Sequence, residues 1–223
     1  DSALISGTIS SSDSEVTFRK AGDGTLTLSA ANTYAGATEV AGGTLAVDGS
    51  VGGSGVTVEN GGTLGGSGVI TSLVTVETGG TLGAGSSIGD LELQGGLVLA
   101  SGSSFAVEIA GVPLVAGTDY DQIVVADGSS MTLTDSVLDL SFDTFQAAFG
   151  QIAYIVDNQN TSGGLTGTFA GLADDAVVGE FNGKDWKITY NALAGVGLDG
   201  GNDVALYAVP EPSTLMVLAL GLL

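Results

Sequence analysis

Carboxylates are the side chains in this sequence that could do chemistry. Asp and Glu supply 25 residues, whereas the chain contains neither Cys nor His. A protein without these two residue types has no thiol nucleophile, no disulfide and no zinc site of the usual kind, and it lacks the common base at neutral pH. The carboxylates could still form acid–base pairs that cleave polysaccharides, or supply oxygen ligands for calcium.

The acid–base pairs to consider are Asp119 with Asp121, Asp174 with Asp175, and pairs that include Asp185. A glycosidase holds two carboxyl groups about 5 to 10 Å apart in a groove, usually beside aromatic rings that stack on the sugar. The repeat region described below has no such rings. We therefore predict that the protein is not an enzyme and assign it no catalytic residue and no cofactor; a polysaccharide-active enzyme is the least favoured alternative.

An Asp/Asn-rich turn precedes the last predicted strand, with the sequence LDGGNDVAL at 198–206. It is similar to the calcium-binding Gly/Asp turns of nonapeptide repeats, whose oxygen ligands come from adjacent coils. The calcium candidates are Asp199, Asn202 and Asp203. Because the turn occurs once and such calcium sites need tandem turns, the favoured interpretation is a plain turn that leads into a strand.

The charge of the chain limits its partners. The formal net charge is −21, and no Lys or Arg stands between Lys20 and Lys184. Such a surface cannot neutralise phosphates, which excludes nucleic acid as a partner. The acidity is typical of a solvated, self-repelling surface, and diffuse binding of divalent ions is the alternative interpretation.

The elements that would position these side chains come from a repeat. Gly-Thr-Leu recurs at 43–45, 62–64 and 80–82, so that its Thr residues stand at nearly equal intervals along the chain. Val-Thr-Val-Glu recurs at 56–59 and 74–77, followed each time by glycines. Each unit alternates apolar and polar residues between glycines, which predicts short strands with one buried face and glycine corners.

A unit of this size cannot bury its apolar face alone. Coils stacked about 4.8 Å apart, however, pair every backbone group with the layers above and below. The sequence therefore predicts an all-β protein built as a parallel β-helix. No aromatic residue lies between Tyr34 and Phe105, which predicts a narrow interior filled by Val, Leu and Ile. The glycine pairs do not form a phosphate loop, since they are followed by neither a Lys nor a helix pattern.

The segment GTLTLSAANTYAGAT at 24–38, followed by Gly-Thr-Leu at 43–45, resembles the autotransporter-associated β-strand repeat. This repeat family is associated with passenger regions of bacterial surface and secreted proteins. The resemblance implies a right-handed parallel β-helix that serves as an extended stalk or adhesin. It implies no active site.

The second half of the chain differs in composition. Eleven of the thirteen aromatic residues lie at or beyond Phe105, which predicts wider coils or a capping region with a larger core. A cap is expected because a bare end coil would expose unpaired N–H and C=O groups. Phe142, Phe145 and Phe149 stand at helical spacing, which predicts one short amphipathic helix or turn packed over the solenoid at 142–149.

The segment VPEPSTLMVLALGLL at 209–223 combines a proline turn with an apolar run. Its first residues, Val209, Pro210, Glu211 and Pro212, resemble the PEP-CTERM sorting signal of Gram-negative bacteria, which implies processing by a membrane protease of the exosortase type. A membrane span needs about 20 apolar residues, so we expect only transient membrane contact through this tail. We expect the apolar run to contact a partner subunit head to tail, through Leu215, Met216, Val217, Leu218 and Leu220.

These patterns divide the chain into an N-terminal strand or cap at 1–24, glycine-rich solenoid repeats at 25–110, a C-terminal solenoid or capping region at 111–208, and the sorting motif with its tail at 209–223. The expected function is that of an exported structural protein of the cell surface or extracellular matrix of a Gram-negative bacterium, such as a biofilm matrix. Self-association head to tail into filaments is part of this expectation. A surface adhesin or glycan-binding module is the alternative.

Overall fold

The computed structural model describes residues 1–112, 114–143, 148–160 and 164–210. These ranges contain strands, turns and irregular segments but no helix. The strands are β1 (Ser2–Ile5), β2 (Phe18–Lys20), β3 (Thr25–Leu28), β4 (Thr38–Val40), β5 (Gly43–Val47), β6 (Ser50–Val51), β7 (Val56–Val58), β8 (Gly62–Gly65), β9 (Val69–Ile70), β10 (Val74–Val76), β11 (Thr81–Gly83), β12 (Asp90–Leu93), β13 (Leu97–Leu99), β14 (Ser104–Ile109), β15 (Gln122–Val125), β16 (Met131–Thr134), β17 (Val137–Phe142), β18 (Ile152–Asn158), β19 (Leu165–Thr168), β20 (Val177–Glu180), β21 (Asp185–Ala192) and β22 (Asp203–Val209).

The strands form three sheets. Sheet A has the order β1-β3-β5-β8-β11-β14-β17, sheet B has β19-β16-β13-β10-β7-β4-β2, and sheet C has β20-β21-β22-β18-β15-β12-β9-β6. From β5 to β19 the chain visits sheets A, C and B in turn. From β8 onward each of these strands pairs in parallel with its counterpart in the preceding coil. The prediction of an all-β parallel β-helix is confirmed.

The repeat markers stack directly on one another in sheet A. Thr44, Thr63 and Thr81 stand in register and are partly exposed, whereas the residues that follow, such as Leu64 and Leu82, are fully buried. The period-2 alternation thus places one residue of each Thr-Leu pair outside and the other inside. The hydrophobic core residues between Tyr34 and Phe105 are aliphatic, in agreement with the narrow interior predicted from the sequence.

The coils widen along the chain. In sheet A the stacked positions 25, 44, 63 and 81 follow one another at nearly equal intervals. The interval from Thr81 to Ser104 is longer, and that from Ser104 to Val137 is the longest. The added residues lie largely in the connections from sheet A to sheet C, such as residues 110–121 between β14 and β15. We call the coils from β3 to β11 the narrow coils and those from β14 to β19 the wide coils.

An antiparallel arrangement covers the interior of the last wide coil. Strands β20, β21 and β22 pair antiparallel and join sheet C through β18. Their inward face meets an aromatic layer: the rings of Phe142 and Trp186 lie 5.4 Å apart, those of Phe142 and Phe181 4.8 Å, and those of Phe105 and Phe169 5.8 Å. Trp186 is fully buried. We call β20–β22 the cap.

Of the two structures predicted for 142–149, a short helix or a turn packed over the solenoid, the helix is wrong at its first residue. Phe142 is the last residue of β17 and stands in register with Ile109 of β14. Phe142 is in a strand because it pairs with β14 of the preceding coil. The spacing of the Phe residues gives no information on this pairing, which explains the error. Phe145 lies outside the described residues, and Phe149 is exposed in a turn.

Candidate functional site

A groove on the outer face of sheet A gathers polar side chains from the narrow and the wide coils. It has a volume of about 340 Å³ and lies over β5, β8, β11, β14 and β17. Its polar lining consists of Thr44, Thr63, Ser86, Ser87, Glu108, Asp121, Asp139 and Ser141. Its remaining lining consists of Gly83, Ala84, Gly85, Ala106 and Val107.

The strand register explains the shape of the groove floor. Gly83 stands beside Ala106, and Ala106 stands beside Asp139 on the next strand. Further along the same two strands, Glu108 stands beside Ser141. Glu108 and Asp139 are therefore diagonal neighbours on the outer face of β14 and β17. Glycine and alanine occupy the adjoining outward positions, so no large side chain fills the floor of the groove. The two carboxylates lie at one end of this floor.

The wall of the groove is a tight turn between β11 and β12. Gly85 exchanges two backbone hydrogen bonds with Gly66 of the preceding coil, at 2.8 and 3.0 Å. It has a φ of 71°, and a Cβ at this position would lie 2.3 Å from the carbonyl oxygen of Ser87. The turn therefore requires glycine here. The next two residues, Ser86 and Ser87, are exposed at the rim, and the Ser87 hydroxyl lies 3.5 Å from Glu108 Oε2.

Asp121 fastens this wall to the floor. Its side chain is buried, its Oδ1 accepts the N–H of Gly89 at 2.9 Å, and its Oδ2 accepts the N–H of Glu108 at 2.8 Å. Burial raises the pKa of Asp121 to about 6, although the two N–H donors lower it; the nearby Glu108 carboxylate adds to the rise. One carboxyl group thus joins the end of the wall turn to the strand that carries Glu108.

The lining of the groove limits the chemistry that it can support. Hydroxyl and carboxylate oxygens line it, and its lining includes no Lys, Arg or aromatic residue among the described residues. The carboxylates of the lining repel a phosphate or another anion, and no Lys or Arg side chain of the described lining offsets this repulsion. Carboxylates do form strong hydrogen bonds with hydroxyl donors. The groove is therefore best suited to hydrogen bonding with uncharged ligands that carry hydroxyl groups.

The structure places the first predicted carboxylate pair in two different settings. Asp119 belongs to the connection at 110–121, where its Oδ2 accepts the N–H of Val115 at 2.9 Å. Asp121 is the buried fastening residue of the groove. Both side chains brace backbone amides, and the structure gives each a positioning role.

The second predicted pair lies beside the cap. Asp174 accepts the N–H of Tyr190 at 3.0 Å through Oδ1, and Asp175 accepts the hydroxyl of Tyr207 at 2.5 Å. Burial and the neighbouring Asp175 carboxylate raise the pKa of Tyr207. Asp185 begins β21 and stands opposite the last residue of β22. None of these three acids lines the groove on sheet A.

Two of the calcium candidates, Asn202 and Asp203, help to line a smaller cavity of about 180 Å³ together with Asp157 and Asn158, whereas Asp199 does not line it. Asp203 is buried, and both of its oxygens accept backbone N–H groups, from Asn158 at 2.7 Å and from Ala194 at 2.6 Å. Within the described residues, no group of three or more acidic side chains could hold a metal ion. The bracing contacts give Asp203 a structural task, and calcium binding at this turn stays a prediction.

The residues of the predicted sorting motif and tail fall at the end of the described chain. Val209 is the last residue of β22, and Pro210 follows it. Glu211, Pro212 and the tail residues Leu215 to Leu220 lie outside the described residues. Across the described ranges, the structure contains no helix long and apolar enough to cross a membrane.

Sequence reasoning did not single out Glu108 and Asp139 as a pair. Both positions carry a signal, since each is an acid between two buried or partly buried residues of an alternating strand and must therefore point outward. Their proximity could not be read in the same way. It depends on the length of the coil that runs from Ser104 to Val137, and no repeat marker reveals that length.

Comparison with known proteins gives one family model that matches a part of the chain. Residues 18–47, which span β2 to β5, match the family model described as Passenger-associated-transport-repeat. The match contains the Gly-Thr-Leu segments at 24–26 and 43–45, and it supports the autotransporter-associated part of the resemblance. No curated protein matches the chain. The repeat points to an exported protein of the bacterial surface and favours a structural or surface role over catalysis; the sorting signal lies beyond the match and stays a prediction.

Proposed function

We propose that this chain is a structural segment of an exported surface protein of the autotransporter-passenger type, in which the β-helix serves as a stalk or matrix element. The observation that carries the proposal is the joint presence of the transport-repeat match at 18–47 and a parallel ladder that continues far beyond it, to β19. The matched repeat thus lies within a longer parallel scaffold.

The physical properties of the scaffold support an extracellular structural role. Stacked coils pair their backbone groups with neighbouring layers and need no disulfide for stability; the chain contains no Cys. The net charge of −21 favours solubility and opposes nonspecific association. A rod with these properties can hold other surfaces at a distance without a bound cofactor.

We further propose head-to-tail association of copies into filaments. Within the described residues, β1 and β17 are the outermost strands of sheet A, and β2 and β19 those of sheet B. Outermost strands offer N–H and C=O groups to a further strand. The proposed contact with the neighbouring copy is formed by the tail residues Leu215, Met216, Val217, Leu218 and Leu220, in copies that keep the tail. Recognition of the motif at 209–212 by an exosortase-type enzyme is a separate part of the proposal.

Cell fractionation with surface proteolysis tests the export proposal. Antibodies against the narrow coils should detect the protein on intact cells of the producing bacterium or in their matrix, and external protease should remove the signal. Retention of the protein inside intact cells, protected from protease, would overturn the proposal. Negative-stain microscopy of the native material then tests association: filaments support it, whereas isolated rods refute the filament and leave the structural role intact.

A further inference from the structure

We propose that the groove over sheet A binds an uncharged oligosaccharide, with Glu108 and Asp139 as hydrogen-bond acceptors for sugar hydroxyls and the wall serines and floor threonines as secondary contacts. The inference goes beyond the structural role proposed above and does not depend on it. A stalk could be exported without a ligand in this groove, and the groove could bind a glycan in an isolated rod.

The chemistry of the lining selects the ligand class. Glu108 is half-buried, Asp139 is exposed, and both face outward at the same end of the groove. A carboxylate accepts two hydroxyl donors in a charge-assisted arrangement that is about twice as strong as a neutral hydrogen bond. Phosphates, sulfated sugars and uronic acids are disfavoured, because the described part of the lining includes no Lys or Arg and the chain carries a net charge of −21.

The shape of the groove selects an extended ligand. From Thr44 on β5 to Ser141 on β17 the lining crosses five strands of sheet A, which corresponds to roughly 19 Å at the usual strand separation. The small residues Gly83 and Ala106 form the floor, so a flat ring can approach the backbone closely. An oligosaccharide fits this trough better than a single sugar.

The groove is held in a fixed shape before any ligand arrives. Asp121 joins the wall at Gly89 to the floor at Glu108, and the Gly85–Gly66 pair ties the same wall to the preceding coil. A preorganised site loses less conformational entropy on binding. Among the residues that the structure describes, no aromatic ring lines the groove for stacking, so we expect weak binding, with a Kd of about 1 mM.

A divalent cation is the competing occupant of an acidic groove. Both oxygens of Asp121 already accept backbone N–H groups, which leaves Glu108 and Asp139 as the carboxylates for an ion. No group of three acidic side chains that could hold a metal exists among the described residues. The geometry therefore favours hydroxyl donors over a metal ion, and calcium enters the test as a separate arm.

Amide chemical shifts of the isotope-labelled full chain test the proposal. The probes are linear hexasaccharides of glucose, mannose and galactose, with hexagalacturonate as the anionic comparison and calcium chloride alone as the cation arm. At least one neutral probe should shift amides of β8, β11, β14, β17 and the wall turn in a saturable manner. Glu108→Gln and Asp139→Asn should each weaken that binding by about tenfold.

The matched control is Glu77→Gln, an exposed acid directly after β10 of sheet B, which should leave the affinity unchanged. Three outcomes overturn the proposal: no neutral probe shifts groove amides up to about 10 mM, hexagalacturonate binds more tightly than the neutral probes, or only calcium shifts the groove amides. Equal affinities in the wild type and both groove variants would place the glycan elsewhere and overturn it as well.

Discussion

The narrow coils and the wide coils of this β-helix bury their interiors in different ways. In the narrow coils each layer is short, as from Thr44 to Thr63, and is filled by aliphatic side chains such as Leu64. In the wide coils one coil is longer and runs from Ser104 of β14 to Val137 of β17. The interior holds the aromatic ring of Phe105 and rings from the cap, above all that of Trp186. The same ladder continues through both regions.

The difference teaches where function can develop on such a scaffold. A coil of minimal length has corners instead of loops, so its outer surface consists of strand side chains such as the Thr ladder. Longer coils add connections that can fold back and place a buried polar group, as the connection at 110–121 does with Asp121. The groove on sheet A lies where the two regions meet, and it takes its floor from both.

The largest effect that we expect is on the cap. Trp186→Ala removes a fully buried ring that packs against Phe142, and it should lower the free energy of unfolding by about 3–5 kcal/mol through lost burial and a cavity. If the wide coils depend on aromatic packing, amide hydrogen exchange should accelerate in β20–β22 and β17. Exchange in β5, β8 and β11 should change little.

Leu64→Ala is the matched variant in the narrow coils. Leu64 is also fully buried, and its truncation should cost about 2–5 kcal/mol. Exchange should then accelerate first in β8 and its neighbours β5 and β11, since each coil contacts only adjacent layers. Uniform acceleration across the whole chain in both variants would show one cooperative unit, and the distinction between the two regions would fail as a description of stability.

An intermediate effect is expected at the junction, from the carboxyl group of Asp121. Its pKa of about 6 in the folded state is above the ordinary value of 3.8, so the folded chain binds this proton more tightly than the unfolded chain does. This group therefore lowers stability at pH 7, and the loss is recovered as the pH falls through 6 towards 4. In the wild type, protonation of this group should raise the free energy of unfolding by about 2–3 kcal/mol as the pH falls from 7 to 4. Asp121→Asn should abolish this rise.

Urea denaturation at several pH values measures this rise. The acidic surface as a whole also gains stability on acidification as charge repulsion declines, and Glu77→Gln controls for that shared contribution, because it removes one exposed charge. Parallel pH profiles for wild type and Asp121→Asn would contradict the assignment. A profile that flattens only in Asp121→Asn would place the pH dependence at the groove.

The sequence predicted the narrow coils better than the wide coils, for a physical reason. The strand partners of Thr44, Thr63 and Thr81 can be predicted from the sequence, because the repeat period equals the number of residues in one coil. The bonds of Asp121 to the distant amides of Gly89 and Glu108 have no such marker. The antiparallel pairing of the cap with β18 could not be predicted either, since an alternating strand pattern is compatible with both parallel and antiparallel neighbours.

The smallest effect is expected on the outer surface of sheet B, where Arg19 of β2 contacts acidic residues of the narrow coils. Arg19 Nη1 lies 2.8 Å from Glu39 Oε2 and 3.2 Å from Glu59 Oε1, and its side chain is 53% exposed. Arg19→Ala leaves two carboxylates near one another on adjacent coils, which should lower the free energy of unfolding by about 0.5–1 kcal/mol at low ionic strength. Thermal unfolding should show this loss shrinking at about 1 M salt, where screening is strong.

Arg19→Lys serves as the control for this ion pair, because it keeps a positive charge but not the two-pronged geometry of the guanidinium. A loss that exceeds about 2 kcal/mol, or that salt does not reduce, would mean that side-chain contacts on the outer face hold the narrow coils together. A small, salt-sensitive loss would instead leave the backbone ladder and the aliphatic interior as their source of stability, with side-chain chemistry mattering most where the coils widen.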